Sequence, residues 1–390
     1  MGITGRNINQ AGNDLDISLF QHESATPDNW TGQCCDGTHQ VSSGQSKNHQ
    51  KDLGVALVGY GFAGKTFHAP LIAVTPGLKL RTVVSRDAGK VHADFPEAAV
   101  VADLAIALAE PNIDLVVIAT PNALHAPQAH AALAAGKHVV VDKPFAVTLA
   151  EAQSVSAHAE RAGRVLSVFQ NRRWDGDFLT VRRLIAEGEL GAVRHFESHF
   201  DRFRPDLRNC WRERAEPGSG LWFDLGSHLL DQALQLFGRP QAIYADFAML
   251  RERSETTDFF HVLLRYPQSR AILHASALVP DGRLRFAVHG TKGSLITQGL
   301  DGQENLLKAG LRPGSTGWHL DAEPGTFTPG EGSPRQVAIE SGDYCAYYSQ
   351  IRECLNGQAP NPVPPSQALD TMELLAIAAQ SAAERREIAC

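Results

Sequence analysis

The hexapeptide Gly59-Tyr60-Gly61-Phe62-Ala63-Gly64 stands between an apolar run, Leu53 to Val58, and a stretch patterned as a helix through Val74. Glycines at this spacing permit a tight turn, let a pyrophosphate approach the backbone and allow the helix to pack close to the strand. The helix N-terminus adds unpaired N–H groups for the anion. Because the motif follows a strand and opens a helix, it points to a dinucleotide site built on Gly59, Gly61, Phe62, Ala63 and Gly64. The next apolar run, Leu78 to Val84, ends about 20 residues further on, where an NAD-binding chain sets a carboxylate against the ribose 2′-hydroxyl. Ser85 and Arg86 stand there instead. A hydroxyl and a guanidinium can pair with a 2′-phosphate that a carboxylate would repel, so NADP(H) is favoured over NAD(H). With NAD(H), Asp87 would be the residue that takes the ribose.

A second pair, Asp224 and His228, has the spacing that shares one face of a helix. Removing a hydride from a secondary alcohol requires a base for the hydroxyl proton, and imidazole titrates near working pH. His228 is therefore the candidate general base in oxidation and acid in reduction, with Asp224 binding a substrate hydroxyl or orienting the ring. A helix-surface pair without chemistry is the other reading of the same spacing. Asn122 and His125 follow the run Leu115 to Ala119, where the crevice of a doubly wound sheet opens; cofactor contact, helix capping and packing are all open to them.

The elements that must position these residues read as two patterns. From residue 52 to 172, strand-like runs (53–58, 78–84, 115–119, 138–141, 165–169) alternate with helical segments near 102–109, 123–135 and 149–162. Such alternation predicts βαβ units, a parallel sheet covered on both faces and hence a Rossmann-type α/β domain. From 173 to 390, helices at 176–187 and 222–237 precede strand-like runs at 242–250, 259–266, 271–279 and 284–289. Turns at Pro280-Asp281-Gly282 and Thr291-Lys292-Gly293 predict an α+β domain with a largely antiparallel open sheet. The Gly/Pro-rich stretch 299–335 reads as an irregular excursion, and a last helix spans 366–385. Residues 1–51, rich in Asn, Gln, Ser and Gly without periodicity, read as a disordered extension.

Four motifs in order make the chain resemble the Gfo/Idh/MocA family of glucose-fructose oxidoreductases and inositol dehydrogenases. They are Gly59 to Gly64, Ala119-Thr120-Pro121-Asn122 with His125, Gly136 to Pro144, and Asp224-Leu225-Gly226-Ser227-His228. Gln170 to Asp175 and Trp211-Arg212-Glu213 look most like the NADP-dependent scyllo-inositol dehydrogenases. The resemblance implies that Lys143 lies beside the nicotinamide and the reacting oxygen, where an ammonium would stabilise developing negative charge and help relay the proton. It adds Thr120, Asn122, His125, Lys143, Trp211 and Arg212 to the cofactor contacts and sets Arg172, with Lys143, Asp224 and His228, at the substrate. Arg173 and Trp174 are further candidates for substrate or nicotinamide contact; for them, as for Arg172, Trp211 and Arg212, interdomain salt bridges and core packing are equally open. The family pattern has Glu-Lys-Pro where this chain has Asp142-Lys143-Pro144. The resemblance further implies a cyclic polyol or sugar substrate, best matched by scyllo-inositol and scyllo-inosose, a homodimer or tetramer, and a last helix that returns to the first domain. Some relatives instead retain NAD and cleave glycosidic bonds, and the fold can also serve a non-catalytic dinucleotide- or sugar-binding regulator. Lys143, Asp224 and His228 together favour chemistry.

Composition excludes other classes. Lys+Arg 36 against Asp+Glu 43 gives a net charge of -7, so no global basic field attracts nucleic acid or a membrane surface. No apolar run approaches the roughly 18 residues of a membrane helix. No secretory pattern opens the chain, and six cysteines form no metal or disulfide framework, which predicts a cytoplasmic protein. No His or Cys spacing supplies the three or four ligands of a zinc site, so no metal is expected.

Overall fold

The computed structural model describes residues 52–390; the extension expected over residues 1–51 lies outside the described residues. The first sheet has six parallel strands, β1 (Leu53–Val58), β2 (Leu78–Val84), β3 (Ala99–Val101), β4 (Leu115–Ile118), β5 (His138–Asp142) and β6 (Leu166–Phe169). Their order is β3-β2-β1-β4-β5-β6, with β2 and β4 on opposite sides of β1. The strand order therefore reverses at β1, and the crevice beyond the C-terminal ends of β1 and β4 is the place for a ligand. Helices α1 (Ala69–Val74), α2 (Ala88–His92), α3 (Leu104–Ala109), α4 (His125–Ala134) and α5 (Leu149–Ala162) connect the strands. Every residue of β4 is buried, which is why a four-residue run of Leu, Val, Val and Ile reads without alternation. α5 carries a reciprocal cap between Thr148 and Glu151 and stops at Gly163, whose φ of 61° few other residues adopt.

The second sheet has nine strands: β7 (Val193–His199), β8 (Ala242–Ala248), β9 (Phe259–Arg265), β10 (Arg270–Ser276), β11 (Leu284–Gly290), β12 (Gly293–Gln298), β13 (Gly325–Pro329), β14 (Arg335–Val337) and β15 (Ile388–Ala389). The order β14-β13-β12-β11-β7-β10-β9-β8-β15 makes it mixed: β7 enters between β10 and β11, parallel to β10. The turn at Pro280-Asp281-Gly282 thus does not close a hairpin, a correction to the sequential reading. The sequence reading missed β7 because Val-Arg-His-Phe-Glu-Ser-His buries only Phe196 and Ser198 fully and leaves its other face polar. The stretch 299–335 is more ordered than its composition predicts, holding β13 and the short helix α8 (Gln303–Lys308).

Helices α6 (Gly176–Ala186), α7 (Ser227–Phe237), α9 (Cys345–Leu355) and α10 (Pro365–Glu384) complete the fold. α10 packs on α7 and β8 and also on α5 and β6 of the first sheet. Its Leu375 carbonyl accepts the indole N–H of Trp222 at 3.1 Å, and its Gln367 accepts from Arg173 at 2.6 Å. No helix among the described residues is long and apolar enough to cross a membrane.

Candidate active site

Glycine is required in the loop after β1 for different reasons at each position. Gly59 has φ of 95°, and a Cβ there would meet the Ala119 carbonyl at 2.7 Å; at Gly64 it would lie 2.1 Å from the Gly59 carbonyl. A Cβ at Gly61 would meet nothing within 4 Å. The loop is therefore closed where it packs and open at Gly61, which is the arrangement a dinucleotide pyrophosphate requires. Phe62 and Ala63 follow, and the backbone then forms a π turn, Gly64–His68, before α1.

At the end of β2, Ser85 is half-buried and its hydroxyl accepts the Asp87 N–H at 3.2 Å, while Arg86 is exposed. The Asp87 carboxylate is engaged as the cap of α2, accepting the Lys90 N–H at 2.9 Å. The Lys90 ammonium in turn donates to the Tyr60 carbonyl in the glycine loop at 3.1 Å. After β4, the Thr120 hydroxyl donates to Gln128 at 2.7 Å, and the Asn122 amide donates to the Gly218 carbonyl at 3.3 Å, joining the two halves of the crevice. His125 is buried, with its ring nitrogens 2.8 Å from the Pro144 carbonyl and 2.9 Å from the Thr120 carbonyl. Burial lowers its pKa, the Asp142 charge and the carbonyls opposing. Its ring thus ties the β4 loop to the Lys143-Pro144 loop.

Lys143 leaves the end of β5. Its backbone N–H is held by the Asp142 carboxylate at 2.9 Å, and Asp142 in turn faces His68, at 3.6 Å. Although burial opposes ionisation of Asp142, His68, His125 and Lys143 hold its pKa below the usual carboxylate value. The Lys143 ammonium donates to the Asp224 carbonyl at 2.6 Å and to its carboxylate at 3.1 Å. An ammonium has three N–H groups, so one remains for a third acceptor. Arg212 lies 3.7 Å from the same carboxylate. Burial would raise the Asp224 pKa, but Lys143, Arg212 and Arg202 outweigh it and keep the carboxylate ionised.

Asp224 belongs to a π turn, Trp222–Gly226, that runs into α7. Gly226 is needed because a Cβ would lie 2.2 Å from the Trp222 ring. His228, in the first turn of α7, is buried and its Nδ1 has no hydrogen-bond partner among the described residues. Burial, then the charges of Lys143, Arg172, Arg285 and Arg202, push its pKa well below the usual histidine value, so the ring is neutral near pH 7.

These groups border one cavity of about 240 Å³, shared by Phe62 and Ala63 of the glycine loop, Lys143, Asp224 and His228. Arg172 also lines it, bonded to Glu304 at 2.7 Å and lying 4.7 Å from the Phe200 ring. Arg173 does not reach it: its guanidinium grips Asp231 at 2.8 and 2.6 Å in the interior. Trp174 packs edge-on to Tyr347. Arg212 lines the cavity, and the Trp211 side chain lies outside the described residues. Ser85, Arg86, Thr120 and His125 stand away from this cavity, along the crevice. Arg202 and Arg204, whose charge in the sequence leaves a phosphorylated or acidic sugar open as substrate, line it too, and the structure adds Asn171, Arg208, Glu304 and Lys308. Glu304 and Lys308 come from α8, where their spacing of four is the one available sequence signal.

Two family models match the chain: an oxidoreductase family NAD-binding Rossmann fold over residues 53–170 and an oxidoreductase family C-terminal alpha/beta domain over 182–390. The chain is 52% identical to the uncharacterized oxidoreductase YdgJ of Escherichia coli (strain K12), over 86% of its own length and 97% of the relative's. It is 37% identical to scyllo-inositol 2-dehydrogenase (NADP(+)) IolW of Bacillus subtilis (strain 168), over 86% and 95% respectively. Among solved structures, an oxidoreductase from Klebsiella pneumoniae superposes with a TM-score of 0.82 at 50% identity, covering 87% of this chain and 95% of that one. With both halves matched, the chain belongs to the Gfo/Idh/MocA family of oxidoreductases.

Proposed function

We propose that this oxidoreductase uses NADP(H) to interconvert a secondary alcohol and a ketone on a cyclic polyol or sugar, with scyllo-inositol and scyllo-inosose as the best-matched pair. The observation that carries the reading is the single cavity in which Lys143, held by Asp224, and the His228 side chain meet Phe62 and Ala63 of the glycine loop. Bound along Gly59 to Gly64, the dinucleotide supplies the hydride acceptor or donor. The free N–H of Lys143 stabilises the substrate oxygen as charge develops on it. In oxidation the neutral His228 takes the hydroxyl proton. In reduction the same ring, when protonated, returns it readily because the surrounding cations disfavour its charge.

Preference for NADP(H) is supported by Arg86, exposed and with no ion pair among the described residues, and by Asp87 being occupied as a helix cap. The similarity to IolW, an NADP(+)-linked scyllo-inositol dehydrogenase, supports both cofactor and substrate. The test is absorbance at 340 nm with NADP+ and NAD+ tried separately against inositols and aldoses. Turnover of an inositol with NADP+ in at least about tenfold preference to NAD+ is expected. Turnover with NAD+ alone would reject the cofactor assignment, and silence across the panel would reject the reaction.

A further inference from the structure

The walls of the cavity carry seven basic and three acidic side chains, and the excess has a definite location. Lys143, Arg172, Arg208, Arg212 and Lys308 each face a carboxylate. Arg202 and Arg204 do not. They lie on the extended segment that follows β7, where alternate residues share a side, while Phe203 between them bridges to Leu278. Both guanidinium groups line the cavity, both are half-buried, and neither has an ion pair or side-chain hydrogen bond among the described residues. Arg202 stacks on the Phe200 ring at 4.7 Å, which fixes its plane. The nearby carboxylates, Asp224 and Glu304, are already engaged by Lys143, Arg212, Arg172 and Lys308.

Two cations on one short segment withdrawn from water without a carboxylate paired to either are costly, and burial pulls Arg202 down to about 10, with Arg204 and Arg172 adding repulsion against the pull of Asp224. A guanidinium fork matches carboxylate or phosphate oxygens in pairs. The dinucleotide's own phosphates are provided for elsewhere, at the glycine loop and at Ser85-Arg86. We infer that the preferred substrate is an acid, a polyol or sugar bearing a carboxylate or phosphate that Arg202 and Arg204 grip while its reacting carbon lies between Lys143 and His228. This rests on the oxidoreductase reading and moves its preferred substrate from the neutral scyllo-inositol pair to an acidic polyol or sugar, since a neutral ring engages only the reacting end of the cavity.

The experiment compares NADP+-linked turnover of matched pairs: glucose with glucuronate and glucose 6-phosphate, and myo-inositol with its 1-phosphate. The wild type should show at least about tenfold higher kcat/KM for the acidic member, the carboxylate and phosphate arms reporting which anion fits. In Arg202→Gln and Arg204→Gln the preference should collapse toward one through KM, and Arg204→Lys, which keeps the charge, should retain part of it. Calorimetric titration of glucuronate and of inorganic phosphate, with and without NADP+, gives a readout that needs no turnover. If no compound is oxidised, the reaction assignment fails by itself, while anion binding that persists beside NADP+ and is lost in R204Q sustains the acid site. Equal efficiency for neutral and acidic members overturns the inference, as does anion binding that NADP+ displaces or that survives in R204Q.

Discussion

The electrostatics around His228 decide how its proton is used. The ring has no carboxylate partner: Asp224, four residues before it, gives its charge to Lys143 and Arg212 instead. Among the described residues no hydrogen bond or ion pair joins Asp224 to His228, and Asp224 is bonded to the lysine instead. With its pKa held below the ordinary value, His228, the proposed base, is neutral throughout the neutral range. For oxidation, kcat/KM should be level from about pH 6.5 upward and fall only at lower pH, as the ring becomes protonated. A half-maximal rate at or above pH 6.5 in the wild type, or an unchanged acid limb in His228→Asn, would contradict this assignment. Lys143, Asp224 and His228 were legible in the sequence because each lies in a short local motif. Arg202 and Arg204 were legible as basic residues that leave an acidic sugar open, but Glu304 and Lys308 were not, because only the tertiary fold brings the end of β7 and helix α8 to the same cavity.

Among the elements, the glycine loop separates binding from folding. A side chain at Gly64 collides with the Gly59 carbonyl, whereas one at Gly61 meets only open space. Gly64→Ala should accordingly lower the melting temperature by several degrees, in line with a strained backbone costing about 1–3 kcal/mol. Gly61→Ala should melt like the wild type yet bind NADPH at least about tenfold more weakly, because its methyl group occupies the approach of the pyrophosphate. Fluorescence titration and a thermal melt on both variants check this, and normal NADPH affinity in G61A would remove the dinucleotide from the loop. The first-sheet strands and the 149–162 helix were readable because strand runs were continuously apolar and α5 carries its caps in sequence. β7 was missed because its polar alternation masks it, and the two π turns are invisible to a 3.6-residue period.

At the scale of the whole molecule, the two sheets are joined through buried polar contacts as well as apolar ones. Arg173, for which substrate contact and an interdomain salt bridge were equally open, binds Asp231 of α7 and Gln367 of α10, so α10 and the end of β6 are held as one body. Asn122 reaches Gly218, and Lys143 reaches Asp224, each across the crevice between the Rossmann sheet and the second half. The α/β class and the two-part organisation were legible from periodicity, whereas the insertion of β7 was not, since strand order is set by contacts distant in sequence. These crossings bring residues of both halves to one proposed redox site. Lys143→Met tests it most directly, with NADPH affinity measured by fluorescence and turnover at 340 nm measured on the same preparation. Affinity within about threefold of the wild type with turnover reduced at least about 10²-fold is the predicted result; turnover that survives the loss of the ammonium would contradict it.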